Sequence, residues 1–97
     1  MADRGRYERR EVHITGQVQG VGFRYVTEAL ARRRAVTGYV ENLVDGRVRL
    51  VIEGEPQEVD GLIRAVEQRM ASYIEGVDVE SGAATGEFPD FRIRLAP

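Results

Sequence analysis

The segment from Gly16 to Arg24 is the part of this 97-residue chain whose residue types and spacing are best suited to chemistry. It reads Gly-Gln-Val-Gln-Gly-Val-Gly-Phe-Arg and joins a predicted strand to a predicted helix. The glycines permit backbone conformations in which successive N–H groups turn inward, and the start of a helix adds the positive end of its dipole. Arg24 adds a guanidinium that can donate to two oxygens of one phosphate group. The segment therefore predicts an anion cradle that suits a phosphate.

Several other kinds of site are excluded by composition and motif. The chain has no cysteine and a single histidine, so thiolate zinc sites, cysteine nucleophiles and multi-histidine metal centres are ruled out, and no metal or cofactor is predicted. The cradle lacks the Gly-Lys-Ser/Thr ending of nucleoside-triphosphate loops, and Tyr25 stands where a dinucleotide fingerprint needs its third glycine. His13 lies in the middle of a predicted strand and is interpreted as a surface residue. On pattern alone, the cradle could also be an ordinary glycine-rich turn beside a surface arginine.

The periodicity of the remaining residues predicts how the cradle is held. Each predicted strand has one apolar and one polar face, so two helices are expected on one side of a single, mostly antiparallel sheet, which is the α+β, ferredoxin-like split β-α-β arrangement (βαββαβ) with a short fifth strand. The other side, with Tyr39, Glu41 and Glu53, is expected to be open to water. The predicted elements are a strand from Glu11, a helix from Phe23, a strand from Val36 to Asn42, a hairpin turn at Asp45-Gly46, a strand with Val48, Leu50 and Ile52 on one face, a helix from Pro56, a strand from Val77 to Glu80 and a short strand from Phe91 to Leu95.

Charge is unevenly distributed along the chain. All 14 basic residues are arginines and the formal net charge is −2, yet the first third of the chain is electropositive. Residues 1–10 are expected to form a flexible charged arm, and residues 11–97 a single domain. No apolar run is long enough to span a bilayer, and the first eleven residues are too charged for a signal peptide, so neither a membrane nor an export route is expected. A cytoplasmic protein is predicted.

The stretch from Gly16 to Arg24, followed by Thr37-Gly-Tyr-Val-Glu-Asn42 and Asp45-Gly46, resembles the acylphosphatase family over most of the chain. The resemblance implies a ferredoxin-like enzyme that hydrolyses the carboxyl-phosphate bond of small acyl phosphates without a metal or cofactor. It implies that Arg24 binds the phosphoryl group together with backbone N–H groups, and that Asn42 positions the attacking water. Inorganic phosphate is then a product and competitive inhibitor, the protein is expected to be a monomer, and no nucleic acid takes part. The residues expected to bind phosphate are Gln19, Gly20, Val21, Gly22, Phe23 and Arg24.

The chemistry of the residues agrees with such a substrate. A carboxylate leaving group has a conjugate-acid pKa of about 4, so it departs at neutral pH without a general acid. Hydrolysis then needs positioning and charge neutralisation during in-line attack by water, with no covalent intermediate. The amide of Asn42 is too weak a base to hold a proton, so the proton released by the water is expected to pass to a phosphoryl oxygen of the substrate. The rate is therefore expected to show no change with pH that reflects the titration of a histidine.

Two other functions remain open at this point. One is a non-catalytic module that uses the same loop to bind an anion or RNA, and it draws support from the electropositive first third and from Glu41 beside Asn42, where the acylphosphatase family usually has a basic residue. The other is an interaction domain that uses its open sheet face or an edge strand for oligomerisation. In an enzyme, the charge of Glu41 is expected to alter the rate or the choice of substrate.

Overall fold

The computed structural model describes residues 6 to 95 and confirms the α+β, ferredoxin-like arrangement. In this range two helices pack on one face of a five-stranded mixed sheet whose strand order is β4-β1-β3-β2-β5. Only β5 runs parallel to its neighbour, β2, and all other pairs are antiparallel. The elements are β1 (Glu8–Gly16), α1 (Phe23–Ala31), β2 (Val36–Asn42), β3 (Val48–Gly54), α2 (Pro56–Arg69), a short 3-10 helix (Ala71–Tyr73), β4 (Ile74–Ala83) and β5 (Phe91–Ile93).

The hydrophobic core lies between the sheet and the two helices. Val12 and Ile14 of β1 and Leu50 of β3 are fully or almost fully buried, as the alternation of apolar and polar residues predicts. Thr27 in α1 is also fully buried, and its hydroxyl donates to the backbone oxygen of Phe23 at 2.9 Å. That bond satisfies the one polar group of the side chain, so the helix can bury a threonine on its core face at little cost.

The prediction of a flexible arm over residues 1–10 is wrong for residues 8 to 10. Strand β1 begins at Glu8, three residues before the predicted start, and pairs with both β3 and β4 along its length. Arg10 is only 8% exposed, and its Nη1 and Nε lie 2.5 Å and 3.2 Å from carboxylate oxygens of Glu8 and Asp60. The free energy cost of placing these charged residues in a strand is offset by two ladders of backbone hydrogen bonds and by these ion pairs. Residues 1 to 5 lie outside the described residues.

The sheet face opposite the helices is partly covered, which corrects the prediction that it is open to water. Glu53 is 3% exposed and Tyr39 is 6% exposed, because residues 84 to 90 cross this face. The Glu53 carboxylate accepts hydrogen bonds from the backbone N–H and hydroxyl of Thr85, at 2.9 and 2.8 Å, and from the N–H of Gly86 at 2.9 Å. Burial raises the pKa of Glu53, but these donors outweigh it and leave the pKa below its usual value.

Candidate active site

The loop between β1 and α1 has the backbone conformation that the glycines predict. Gly20 and Gly22 have φ values of 78° and 80°, in the left-handed region that glycine adopts without penalty. No atom lies within 4 Å of a Cβ built at either position, so the glycines are required for their dihedral angles rather than for space. Gly22 precedes the first turn of α1, where no side chain caps the helix. The N–H groups at the helix start are therefore left for another acceptor, such as an anion.

A cavity of about 250 Å³ brings the helix start together with the end of β2. The cavity combines residues that are distant in sequence, since Arg24 begins α1 whereas Asn42 is the last residue of β2. Of the predicted phosphate-binding residues, Gly20, Gly22, Phe23 and Arg24 line this cavity, whereas Gln19 and Val21 do not. Its full lining consists of Val18, Gly20, Gly22, Phe23, Arg24, Tyr25 and Asn42.

The guanidinium of Arg24 is available to an anion in this cavity. Among residues 6 to 95, no carboxylate lies within ion-pairing distance of Arg24, whereas Arg9, Arg10 and Arg32 each pair with acidic side chains. These ion pairs neutralise part of the positive charge in the first third of the chain. Arg24 keeps its donors free at the mouth of an uncapped helix, which is the arrangement expected of a phosphate ligand.

Asn42 contributes an unsatisfied hydrogen-bond acceptor. Its Oδ1 is shielded from solvent and has no hydrogen-bond partner. Leaving a buried polar atom unpaired costs about 1–3 kcal/mol, and such atoms are uncommon in folded proteins. An orphan amide oxygen on a residue that lines the cavity is therefore a candidate for binding a hydrogen of water or substrate.

Glu41 points away from the cavity. Its side chain lies on the opposite face of the sheet, where it is 8% exposed and Oε2 is 3.7 Å from Nη1 of Arg49. Alternation along β2 separates the two neighbours, because consecutive strand residues face opposite sides. Glu41 therefore does not contact the cavity, and an effect of its charge on the rate or the choice of substrate stays a prediction.

Two features of the site were missed by reasoning from the sequence. The side chain of Gln19 does not enter the cavity but donates to the backbone oxygens of Leu43 and Arg47, which lie in the β2–β3 hairpin. Tyr25, which is not among the predicted site residues, lines the cavity and is 72% exposed. No local pattern signals the Gln19 contact, whereas the position of Tyr25, next to Arg24 in the first turn of α1, was a usable signal.

Comparison with known proteins decides the family. The acylphosphatase family model matches residues 10–93 of the chain. The chain belongs to the acylphosphatase family. This confirms the prediction of an acylphosphatase made from the loop and strand motifs.

Individual acylphosphatases match over nearly the whole chain. The acylphosphatase of Salinibacter ruber is 46% identical over 93% of this chain and 96% of its own length. That of Paenarthrobacter aurescens is 45% identical over 88% of this chain and 92% of its own length. Among solved structures, the acylphosphatase from Bacillus subtilis superposes with a TM-score of 0.81 at 27% identity, covering 90% of this chain and 98% of that one.

Other possible sites on this acylphosphatase offer less chemistry. A second cavity of about 260 Å³ lies beside Glu53 and Thr85, but the Glu53 carboxylate in it is already satisfied by hydrogen bonds. In the described part of the chain, no three His, Asp or Glu side chains are grouped closely enough to hold a metal ion. Neither α1 nor α2 is long and apolar enough to cross a membrane.

Proposed function

We propose that this protein hydrolyses the carboxyl-phosphate bond of small acyl phosphates, using Arg24 and the loop amides to bind the phosphoryl group and Asn42 to position the attacking water. Membership of the acylphosphatase family supports the reaction. The observation that carries the residue roles is the single cavity in which an uncapped helix start, the unpaired guanidinium of Arg24 and the side chain of Asn42 meet.

The phosphoryl group binds at the start of α1. The backbone N–H groups from Gln19 to Phe23 and the helix dipole stabilise its negative charge, and the planar guanidinium of Arg24 donates to two of its oxygens. Because this charge spreads over the equatorial oxygens in the transition state, donors held in place before the reaction lower the barrier without further reorganisation. Inorganic phosphate offers the same oxygens, so it is expected to be a competitive inhibitor as well as a product.

The water attacks from the side of Asn42. The orphan Oδ1 accepts one hydrogen of the water and aligns its lone pair with phosphorus, opposite the leaving carboxylate. The new O–P bond forms as the bond to the carboxylate oxygen breaks, and the second water proton passes to a phosphoryl oxygen, so the products are a carboxylate and dihydrogen phosphate. Among residues 6 to 95, the cavity lining contains no Ser, Thr, Cys, His, Lys, Asp or Glu, and its one hydroxyl belongs to Tyr25, which is a weak base at neutral pH. This lining supports direct attack without a covalent intermediate or an enzymatic base.

The reaction as proposed needs no partner molecule besides substrate and water. We propose that the protein acts as a monomer, because Arg24, Asn42 and the loop amides together supply the groups that the reaction needs. The carboxylate leaving group makes a metal or cofactor unnecessary for bond cleavage, because it departs without protonation. The proposal assigns no role to nucleic acid.

The test is hydrolysis of an aryl acyl phosphate by the purified protein, with and without a chelator, and by two matched arginine variants. Arg24→Lys is expected to lower kcat/KM by about 100-fold or more and to weaken inhibition by phosphate, because an ammonium cannot reproduce a two-pronged contact. Arg33→Lys is the control, since Arg33 is exposed just beyond α1 and has no ion pair within residues 6 to 95. Near-normal kinetics of Arg24→Lys would refute the assignment of Arg24. Phosphate binding without turnover in the wild type would instead indicate the non-catalytic anion-binding module.

A further inference from the structure

The side chain of Gln19 connects the phosphate loop to the β2–β3 hairpin. Its Nε2 donates two hydrogen bonds, to the backbone oxygen of Leu43 at 2.8 Å and to that of Arg47 at 2.9 Å. These acceptors lie 24 and 28 residues further along the chain. In the described residues, no other side-chain hydrogen bond joins the loop of residues 17–22 to this hairpin. One carboxamide therefore forms the polar link between two of the parts that build the cavity.

The two carbonyls that Gln19 binds also close the hairpin turn. The Leu43 N–H donates to the Arg47 oxygen at 2.8 Å, and the Gly46 N–H donates to the Leu43 oxygen at 3.1 Å. Leu43 directly follows Asn42, the last residue of β2. The Leu43 N–H belongs to the peptide unit that joins Asn42 to Leu43, and its acceptor, the Arg47 oxygen, is one of the two carbonyls that Gln19 binds. A displacement of this turn is therefore expected to shift the backbone that carries the Asn42 side chain.

The loop residues next to Gln19 are also held in place. Val18, immediately before Gln19, is fully buried in the hydrophobic core, and the backbone N–H of Gln17 donates to the Tyr73 oxygen at 2.9 Å. Gln19 thus extends from a fixed point in the loop to a fixed pair of carbonyls in the hairpin. These contacts fix the distance between the loop and the hairpin. Backbone pairing between β2 and β3 alone does not determine that distance.

We propose that Gln19 is a positioning residue, whose side chain sets the place of Asn42 relative to the phosphate cradle. This inference rests on the proposed function, because it assumes that Asn42 aligns the attacking water. In-line attack needs the water, phosphorus and leaving oxygen in a narrow geometry, and a misplacement of about 1 Å can cost about 100-fold in rate. The side chain acts through Asn42 and touches neither substrate nor water.

The first test compares two glutamines of the same loop. Gln19→Met keeps the length of the side chain but removes both donors, and it is expected to lower kcat by about 10- to 100-fold, while KM and the inhibition constant for inorganic phosphate change less than about threefold. Gln17→Met is the matched control, because Gln17 is exposed and its side chain makes no hydrogen bond within residues 6 to 95. It is expected to keep wild-type kinetics.

A double-mutant cycle then distinguishes action through Asn42 from a general structural role. In an Asn42→Ala background, Gln19→Met is expected to lower the residual kcat less than about twofold, since the positioned group is already gone. A second full 10- to 100-fold loss would overturn the proposal, as would a rise in the phosphate inhibition constant that parallels the fall in kcat. If Gln19→Met does not fold, Gln19→Asn takes its place, because it keeps the donors on an arm one methylene shorter, and the same pattern is expected.

The controls also separate this inference from the proposed function. An active wild type and Gln17→Met together with an unchanged kcat in Gln19→Met would overturn the positioning role alone. A wild-type protein that binds phosphate but does not hydrolyse an aryl acyl phosphate would overturn the proposed function, and the positioning role would fall with it.

Discussion

Replacement of Asn42 by alanine is expected to abolish most activity and to leave the stability of the fold nearly unchanged. The side chain of Asn42 donates and accepts no hydrogen bond within the described residues, and its Oδ1 is a buried acceptor without a partner. Truncation therefore breaks no hydrogen bond to the rest of the described chain, and water in the cavity can solvate the groups around the shortened side chain. The side chain borders an existing cavity rather than the packed core, so the space that alanine leaves costs little.

The free energy of unfolding is expected to change by less than about 0.5 kcal/mol, which moves the Tm of a domain below 100 residues by less than about 4 °C. Over the same change, kcat is expected to fall about 100- to 1000-fold, which is the usual cost of removing one preorganised hydrogen-bonding group from a transition state. Inhibition by inorganic phosphate should stay nearly unchanged, because the phosphate ligands remain in place.

Circular dichroism during heating, in phosphate-free buffer, measures the Tm, and initial rates with an aryl acyl phosphate measure kcat. Gln68→Ala, an exposed glutamine of α2, is the control and should leave both values close to those of the wild type. A Tm that falls by several degrees would show that Asn42 supports the fold, and loss of phosphate inhibition would place it in the cradle. Either result would refute the role given to it.

Two further predictions concern titratable residues on the other face of the sheet. Glu53→Gln is expected to lower the free energy of unfolding at pH 7 by about 2 kcal/mol, because an amide cannot accept all the bonds from Thr85 and Gly86. Since the pKa of Glu53 is lowered by folding, its stabilisation is complete above the unfolded pKa of about 4.3, so the difference between wild type and variant in urea denaturation should shrink as the pH falls below that value and should not grow. His13→Gln should leave kcat unchanged between pH 5.5 and 7.5, because His13 lies on the sheet face away from the cavity, beside Glu11. A change in kcat near pH 6.5 that the wild type shows and this variant lacks would contradict proton transfer to the substrate.

The elements of the fold follow from residues that are close together in the chain. The alternation of Val48, Leu50 and Ile52 predicts a strand, and the structure buries all three. Asp45-Gly46 predicts the hairpin turn, and Gly46 has a φ of 97° there. The left-handed conformation of the two glycines in the loop before α1 can likewise be predicted locally, because it depends on the type of each single residue.

Residues that break the periodic pattern were harder to interpret. The charge of Arg10 predicts exposure in an arm, yet β1 extends through this residue and buries it against Asp60 of α2. The alternation of apolar and polar residues places Glu53 and Tyr39 on the sheet face opposite the helices, which is predicted to be open to water. Their burial depends on residues 84 to 90, which contain no periodic signal of their own.

The sequence by itself determined the glycine-rich loop, the order of helices and strands, and the family, because each depends on short stretches of residue types. Only the tertiary structure decided that Asn42 faces the cavity while Glu41 faces away, that its Oδ1 is left without a partner, and that Gln19 reaches the carbonyls of Leu43 and Arg47. The physical reason is that dihedral preference and periodicity depend on residues close together in the chain. A hydrogen bond between residues 24 or more positions apart forms only after the strands have paired and set the distance between their elements.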